Sequence, residues 1–250
     1  MPGGTDSTPA PDPRGCPDRV AAVVPAKDEA TRLGATLDAL ATIDTVDLIV
    51  VVDDGSSDDT LAIARERGVQ TVRHETNLGK ARAMTSGADL VQRLETDAAR
   101  APRALLFVDA DLEESARNLG ALCAPVLAGD ADMAIATLPP QKTSGGGFGF
   151  VVRLAREGIS RLAGRTMTQP LSGMRCLTRD AFQEALPLAG GWGVEVGLTV
   201  DVLRNRGRVV EVPVELHHRV TGRGPRAQLH RLRQYRDVAA ALKVRERGAG

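Results

Sequence analysis

Short apolar runs alternate with segments of helical periodicity along most of this chain. The runs RVAAVVPA, VDLIVVVDD, VQTVRH, ALLFVDA and ADMAIAT predict five strands, and a helical segment follows each of the first four. Most of these runs lack polar alternation, which is typical of strands that are buried on both faces of a mainly parallel sheet. The pattern therefore predicts an α/β fold with helices on both faces of the sheet and right-handed crossovers.

Changes of composition divide the chain into a tail, a domain and a terminal helix. Residues 1–18 are rich in Pro, Gly and small polar residues, which predicts a disordered tail. We expect one domain over residues 19–225, in which Pro139 and Pro140 precede a glycine cluster typical of a loop. A sixth strand, RVVEVPVEL, lies late in this domain, and residues 226–250 predict a basic helix and tail.

Charge and cysteine content argue against several classes of protein. The 32 basic and 32 acidic residues give a formal net charge of zero, so no global field attracts nucleic acid. The three cysteines are widely spaced and form no CxxC pair, which argues against a disulfide framework or a zinc site. No apolar run reaches 18 residues and no signal-peptide pattern is present, so we expect a cytoplasmic protein without a transmembrane segment.

Carboxylates follow three of the first four predicted strands. Asp28 and Glu29 follow the first strand, Asp53 ends the second, and Asp109 and Asp111 end the fourth. Ligands bind beyond the carboxyl ends of strands in an open parallel sheet, so we expect these acids to line one site. Residues two apart lie on one side of an extended chain, roughly 7 Å from each other. Because Mg²⁺ uses one or two protein carboxylates and completes its shell with phosphate oxygens, the DxD pair predicts a divalent cation that carries phosphates.

Helix capping is an alternative explanation for these acids. Asp111 is also placed to cap the following helix, and DDGSSDDT contains good N-cap residues for another. Capping does not explain Asp53, whose carboxylate is suited to accept the N–H of a nucleobase. The chain has no Walker-type phosphate loop and no complete dinucleotide fingerprint, so a metal-bridged nucleotide is the arrangement that we predict.

The order of four motifs resembles the nucleotide-binding half of family 2 glycosyltransferases with the GT-A fold. These motifs are VVPAKDEA, VVDDGSSDDT, NLGKARA and LLFVDADLEES. The later segments QPLSGMRCL, GWGVEVGLTVDVL and EVPVELHHRVTGR extend the resemblance to about residues 19–235 and are similar to glucosyl-3-phosphoglycerate synthases and dolichyl-phosphate mannose synthases. The resemblance implies a nucleotide-binding half over residues 19–138 and an acceptor half over residues 139–225.

The resemblance also implies roles for individual residues of this chain. It implies catalytic roles for Asp111 and Glu195, and a metal site of Asp111 and His218 that holds Mn²⁺ or Mg²⁺. The neighbouring His217 faces the opposite side of an extended strand, so at most one of the two histidines is a natural ligand, and the sequence leaves open which one. The remaining assignments are Pro25, Asp28, Glu29, Asp53, Lys80 and Asp109 for the nucleotide sugar, and Ser172, Gly173, Arg175, Arg219 and Arg223 for the acceptor or phosphate.

The function that the resemblance implies is metal-dependent transfer of a sugar, most simply glucose, from a UDP-sugar to a soluble acceptor. Phosphorylated acceptors and a GDP-sugar donor stay open, as does the oligomeric state. The stereochemical outcome is open too, because Val196 stands after Glu195 where inverting members often carry Asp. Three alternatives remain: transfer to a polyprenyl phosphate at the membrane surface, an aspartyl phosphatase, and a non-enzymatic nucleotide-sugar-binding protein.

Overall fold

The computed structural model describes residues 15–95, 100–138, 149–216 and 225–247, and describes side chains in the last range from residue 231 onward. One sheet contains the strands of these residues. They are β1 (Val20–Ala26), β2 (Val46–Asp54), β3 (Gln70–His74), β4 (Ala104–Phe107), β5 (Met133–Thr137), β6 (Arg175–Leu177) and β7 (Val209–Pro213). Their order across the sheet is β3-β2-β1-β4-β6-β5-β7.

Helices connect these strands and cover the sheet. The α-helices are α1 (Ala30–Leu40), α2 (Thr60–Glu66), α3 (Lys80–Leu94), α4 (Gly120–Leu127), α5 (Gly149–Ala163), α6 (Arg179–Glu184), α7 (Val194–Arg204) and α8 (Pro225–Arg247). Short 3₁₀ helices cover Glu113–Leu119 and Gly191–Gly193. Among the described residues, no helix is both long enough and apolar enough to cross a membrane.

The sheet is parallel except at β6, which pairs antiparallel with β4 on one side and β5 on the other. The predicted α/β fold with a mainly parallel sheet is therefore confirmed, and the six predicted strands are present. The three-residue β6 was not predicted, because it is too short to show a period and lies in a segment rich in polar residues. Its direction matters for the site: an antiparallel strand begins at the edge where the parallel strands end, so Arg175 pairs with Phe107 at the end of β4.

Two hydrophobic clusters lie on opposite faces of the sheet. Val23 of β1 belongs to a cluster with buried residues of α3, α5, α7 and α8, whereas the next residue, Val24, packs with residues of α1 and α4. Both side chains are fully buried, as the apolar run predicted. In α3, Gly87 lies so close to the sheet that a Cβ there would come within 2.4 Å of Val23 Cγ1. The close packing fixes α3 over β1 and β2, and with it the residue that begins α3, Lys80.

Candidate active site

The loop that leads into α3 is held by a buried carboxylate, Asp54. Its Oδ1 accepts the backbone N–H of Leu78 at 2.8 Å, and its Oδ2 accepts the N–H of Gly79 at 2.8 Å. Gly79 has a φ of +87°, a conformation that favours glycine, and it immediately precedes Lys80. The last residue of β2 thus determines where Lys80 leaves the loop.

His74 connects the same carboxylate to α3. Its Nδ1 lies 2.7 Å from Asp54 Oδ1, and its Nε2 lies 3.0 Å from the hydroxyl of Ser86. His74 and Asp54 are both buried. Sequence reasoning assigned Asp53 and passed over Asp54 and His74. One signal in the sequence could have found them: both residues end neighbouring predicted strands. In the structure Asp54 pairs with His74 in the β2–β3 register.

Lys80 joins the acid of β4 to the acid of α7. Its Nζ lies 2.8 Å from Asp109 Oδ1 and 3.1 Å from Glu195 Oε1. Burial alone would lower the pKa of Lys80, but the two carboxylates outweigh it and raise that pKa above its ordinary value of 10.5. The structure therefore brings together three of the predicted residues, which we call the Lys80 cluster (Lys80, Asp109 and Glu195), across 115 residues of sequence.

Gly173 closes the Lys80 cluster from the side of β6. A Cβ at this position would lie 2.6 Å from Lys80 Nζ, and 3.0 and 3.1 Å from the two carboxylate oxygens of Asp109. The first distance is shorter than real Cβ contacts and the other two are tighter than most. Gly173 thus places backbone directly against Lys80 and Asp109, and only glycine leaves the observed geometry undisturbed.

Asp111 lies two residues after Asp109 and is partly exposed. Its carboxylate accepts no hydrogen bond from any residue that the structure describes, whereas Asp109 is engaged by Lys80. In residues 15–95, 100–138, 149–216 and 231–247, no three His, Cys, Asp or Glu side chains converge on a common metal position. The donor set fits a divalent cation of the Mg²⁺ type, which needs only one or two carboxylates when phosphate oxygens complete its shell. Glu113 and Glu114 are exposed, and we assign neither of them to the metal ion.

Asp53 is buried at the end of β2 with one oxygen unsatisfied. Its Oδ1 accepts the backbone N–H of Ser56 at 3.0 Å. Its Oδ2 has no hydrogen-bond partner among the described residues, and the nearest cation is the guanidinium of Arg73 at 3.7 Å. An unpaired buried acceptor costs about 1–3 kcal/mol. A ligand N–H that reached Oδ2 would remove this cost, which fits the predicted contact with a nucleobase.

The loop after β1 is tied to the loop after β2. The backbone N–H of Asp28 donates to Ser56 Oγ at 2.9 Å, and Asp28 Oδ1 accepts the N–H of Ser57 at 2.8 Å. That backbone N–H lowers the pKa of the exposed Asp28 carboxyl. Glu29 pairs with Arg32 at 2.9 Å, and Pro25 is the residue of β1 opposite Val52. These residues stand at the predicted edge, and in this structure Asp28 and Glu29 bond to the protein.

Ser172 and Arg175 differ in how they present polar groups. Ser172 Oγ is buried without a hydrogen-bond partner in the described part of the chain. Arg175 is 1% exposed, and its guanidinium donates to oxygens of Pro170, Ser172 and Thr199. Its predicted contact with acceptor or phosphate stays a prediction. His218, Arg219 and Arg223, as well as His217, lie outside the described residues.

Comparisons with known proteins agree with this architecture. The model of the family described as Glycosyl transferase family 2 matches residues 21–185. A protein of Methanocaldococcus jannaschii of uncharacterised function is 30% identical over 173 residues, which cover 68% of each chain. The glucosyl-3-phosphoglycerate synthase of Mycolicibacterium paratuberculosis is 29% identical over 241 residues, which cover 90% of this chain and 72% of that enzyme.

Solved structures extend the likeness to the whole described fold. Glucosyl-3-phosphoglycerate synthase from Mycobacterium tuberculosis, in complex with Mn²⁺, UDP and phosphoglyceric acid, superposes with a TM-score of 0.72 at 26% identity. The match covers 91% of this chain and 78% of that one. The same enzyme with Mg²⁺ and UDP gives a TM-score of 0.70 at 27% identity, over 91% of this chain and 79% of that one. That enzyme binds Mn²⁺ in one complex and Mg²⁺ in the other, and these are the two ions expected from the sequence.

The comparisons and the geometry point to the same conclusion. The family model covers well over half of the chain, and the solved relatives share its sheet and its helices. Neither the phosphatase nor the binding-protein alternative explains this match. The chain belongs to glycosyl transferase family 2, and it is a nucleotide-sugar-dependent glycosyltransferase with the GT-A fold.

Proposed function

We propose that this enzyme transfers glucose from UDP-glucose to a small phosphorylated acceptor, with Mn²⁺ or Mg²⁺ as cofactor. The observation that carries the proposal is the Lys80 cluster near Asp111, whose carboxylate accepts no hydrogen bond from the described residues. Acids and one cation at the edge of a sheet suit a diphosphate that arrives with a metal ion. The similarity to glucosyl-3-phosphoglycerate synthases over 90% of the chain supports glucose and a phosphorylated acceptor.

Each polar group at the site has a definite task in this proposal. Asp53 accepts the N–H of the base through its unsatisfied Oδ2. Asp111, with His218 as the predicted second ligand, holds the metal ion. When bound, the ion supplies positive charge that stabilises the departing diphosphate. Lys80 places a second positive charge at the same edge, and that charge is pre-oriented because two carboxylates already fix its ammonium.

Glu195 lies where the donor half meets the acceptor half. It is buried in the first turn of α7, and its carboxylate contacts Lys80. Val196, which follows it, is fully buried in the core and offers no acid to activate an acceptor hydroxyl. We therefore assign Glu195 to orientation of Lys80 and the donor sugar, within an enzyme that lacks an aspartate at the next position.

Calorimetric titration tests the donor site. UDP-glucose, UDP-galactose and GDP-mannose are titrated into wild type, Asp111→Ala and Glu114→Ala, with and without Mn²⁺. Glu114 is a matched control, because it is an exposed acid of the same segment whose ion pair with Arg117 lies at the surface. We expect tight binding of UDP-glucose with Mn²⁺ and a loss of at least about tenfold, ~1.4 kcal/mol, in Asp111→Ala alone. Equal affinity in all three proteins, with and without metal, would reject the site.

Turnover assays test the acceptor. The wild type is offered 3-phosphoglycerate, glycerate and a polyprenyl phosphate in detergent, each with UDP-glucose and Mn²⁺. We expect glucosyl transfer to the phosphorylated small molecule and none to glycerate, because the anionic phosphate gives the acceptor its charge-assisted contacts. Turnover with the polyprenyl phosphate alone would replace the proposed acceptor by the lipid. Turnover with GDP-mannose in place of UDP-glucose would replace the donor.

A further inference from the structure

Arg175 is a cation placed inside the sheet. It is the first residue of β6 and pairs with Phe107 of β4 and Ile135 of β5. It is 1% exposed, and no described carboxylate forms an ion pair with it. Burial lowers the pKa of Arg175 to about 10, while the charges of Glu195 and Glu211 oppose this fall, so the guanidinium is positive at neutral pH. An unpaired buried charge is costly, and its position calls for a specific use.

The guanidinium spans two segments of the acceptor half. Its Nε donates to the backbone oxygen of Ser172 at 2.9 Å, and one terminal nitrogen donates to the backbone oxygen of Pro170 at 3.3 Å. The other terminal nitrogen donates to Thr199 Oγ1 in α7 at 2.7 Å. The planar fork of one side chain thus connects the turn over residues 170–173 to a helix on one face of the sheet.

Each of these segments carries one side of the Lys80 cluster. The turn ends at Gly173, whose Cα faces Lys80 and Asp109 with no room for a Cβ. In α7, Thr199 Oγ1 donates to the backbone oxygen of Glu195 at 2.8 Å, one helical turn earlier. Glu195 in turn contacts Lys80 at 3.1 Å. Both groups that confine the ammonium are therefore connected to Arg175. Gly173 directly follows Ser172, whose carbonyl accepts from Arg175, and the backbone of Glu195 is reached through Thr199.

We propose that Arg175 is a positioning residue, which holds the 170–173 turn and α7 at the spacing that keeps Lys80 between Asp109 and Glu195. The proposal rests on the proposed function for its effect on catalysis. In this proposal Arg175 does not bind phosphate itself; it holds the segments that carry Gly173 and Glu195. Lysine retains the positive charge but lacks the planar guanidinium that bonds to both segments. Arg175→Lys therefore tests whether these hydrogen bonds, rather than the charge alone, are needed.

The first readout does not depend on turnover. Lys80 reactivity towards acetic anhydride is measured by mass spectrometry, with the exposed Lys243 as internal reference. We expect Arg175→Lys and Thr199→Val to speed the modification of Lys80 about fivefold, which corresponds to ~1 kcal/mol. This is the typical net contribution of one hydrogen bond, and both variants lose the bond between Arg175 and Thr199. Arg179→Lys is the matched control, since Arg179 is also buried and pairs with Glu95, which is not part of the cluster.

The second readout is the kinetic effect. In the same variants we expect kcat/KM to fall about 10- to 100-fold, the scale for misplacing a site group by roughly 1 Å. The double variant Arg175→Lys/Thr199→Val should lose little more than the worse single variant, because both changes break one connection. Thr199→Val changes shape least and keeps the test valid where Arg175→Lys fails to fold.

The outcomes distinguish the two proposals. Unchanged Lys80 reactivity in folded Thr199→Val and Arg175→Lys would overturn the positioning role, as would an equal increase in Arg179→Lys. A wild type that binds no UDP-sugar overturns the proposed function, yet leaves the reactivity comparison intact. Losses of kcat/KM that simply follow the melting temperature in all variants would assign Arg175 to stability alone.

Discussion

Gly173 provides the sharpest test of the Lys80 cluster, because replacing it with alanine adds a single carbon atom at a crowded point. The new Cβ would lie 2.6 Å from Lys80 Nζ. A normal contact is about 3.5 Å, so the ammonium must move by roughly 1 Å and lose its 2.8 Å hydrogen bond to Asp109. A hydrogen bond to a charged group contributes about 1.5–3 kcal/mol. If the donor depends on this geometry, its affinity falls about 10- to 150-fold.

The fold itself should tolerate Gly173→Ala. The φ of Gly173 lies outside the left-handed range, so alanine adopts the backbone conformation without strain, and the atom in contact is the mobile end of a lysine. The unfolded state loses freedom at the same time, an effect of about 0.4–1 kcal/mol in favour of folding. The lost hydrogen bond outweighs this gain, so we expect the free energy of unfolding to fall by no more than about 0.5–2.5 kcal/mol, together with weaker donor binding.

Calorimetry with UDP-glucose and Mn²⁺, combined with thermal denaturation, measures both quantities. Gly120→Ala is the control, since a Cβ there meets Ile43 Cγ2 at an ordinary 3.4 Å. Unchanged donor affinity in Gly173→Ala would refute the role of the Lys80 cluster in donor binding. A loss of stability well beyond that range, with donor affinity lost in parallel, would instead indicate a general folding defect.

Three other changes probe the parts around this cluster. Gly87→Ala should lower the free energy of unfolding by about 1–3 kcal/mol, because its Cβ would come 2.4 Å from Val23 Cγ1, and an unchanged denaturation midpoint contradicts this. Asp54→Ala leaves the N–H of Leu78 and Nδ1 of His74 without Asp54, while the N–H of Gly79 keeps only Asn77 Oδ1 as acceptor, so we expect a loss of about 1–3 kcal/mol in stability and weaker donor binding. Full donor affinity would show that the loop holds without the carboxylate. Because the pKa of Lys80 is raised, its ion pairs contribute fully to stability below pH 10.5 and are lost as the pH rises from there through the higher folded value, so the free energy of unfolding should show no loss from Lys80 below pH 10.5. In Glu195→Gln that loss should move to lower pH, and a profile identical to wild type contradicts the pairing.

The sequence was sufficient for the parallel strands and for the acids that follow them. The apolar runs of β1, β4 and β5 indicate burial at nearly every position, and the carboxyl ends of parallel strands must meet at one edge. Asp53, Asp109 and Asp111 could therefore be placed together without a structure. The predicted fold, family and enzyme class are confirmed by the sheet and by the comparisons with family 2 enzymes.

Other parts of the site depend on contacts that no local pattern encodes. The approach of Glu195 to Lys80 joins residues far apart in sequence, and it exists because α7 packs beside a three-residue strand without a detectable period. Arg175 was assigned to the acceptor or phosphate from its motif, and the burial that its pairing with β4 and β5 produces could not be predicted from the local sequence. The role of Asp54 could not be predicted because adjacent residues of a strand face opposite sides of the sheet, and the sequence does not show which of two neighbouring aspartates faces which side.

The position of β6 limits how this enzyme can be recombined with its relatives. Residues after 138 supply the strand that fills the space between β4 and β5, so a chimaera joined there would have to match a foreign β6 to two resident neighbours at once. A mismatch would break the pairing of β6 with β4 and β5 at the centre of the sheet. It would also displace Gly173, which lies two residues before β6. Exchange of individual loops, with Arg175–Leu177 kept, is therefore the route by which acceptor preference can be redesigned without losing the donor site.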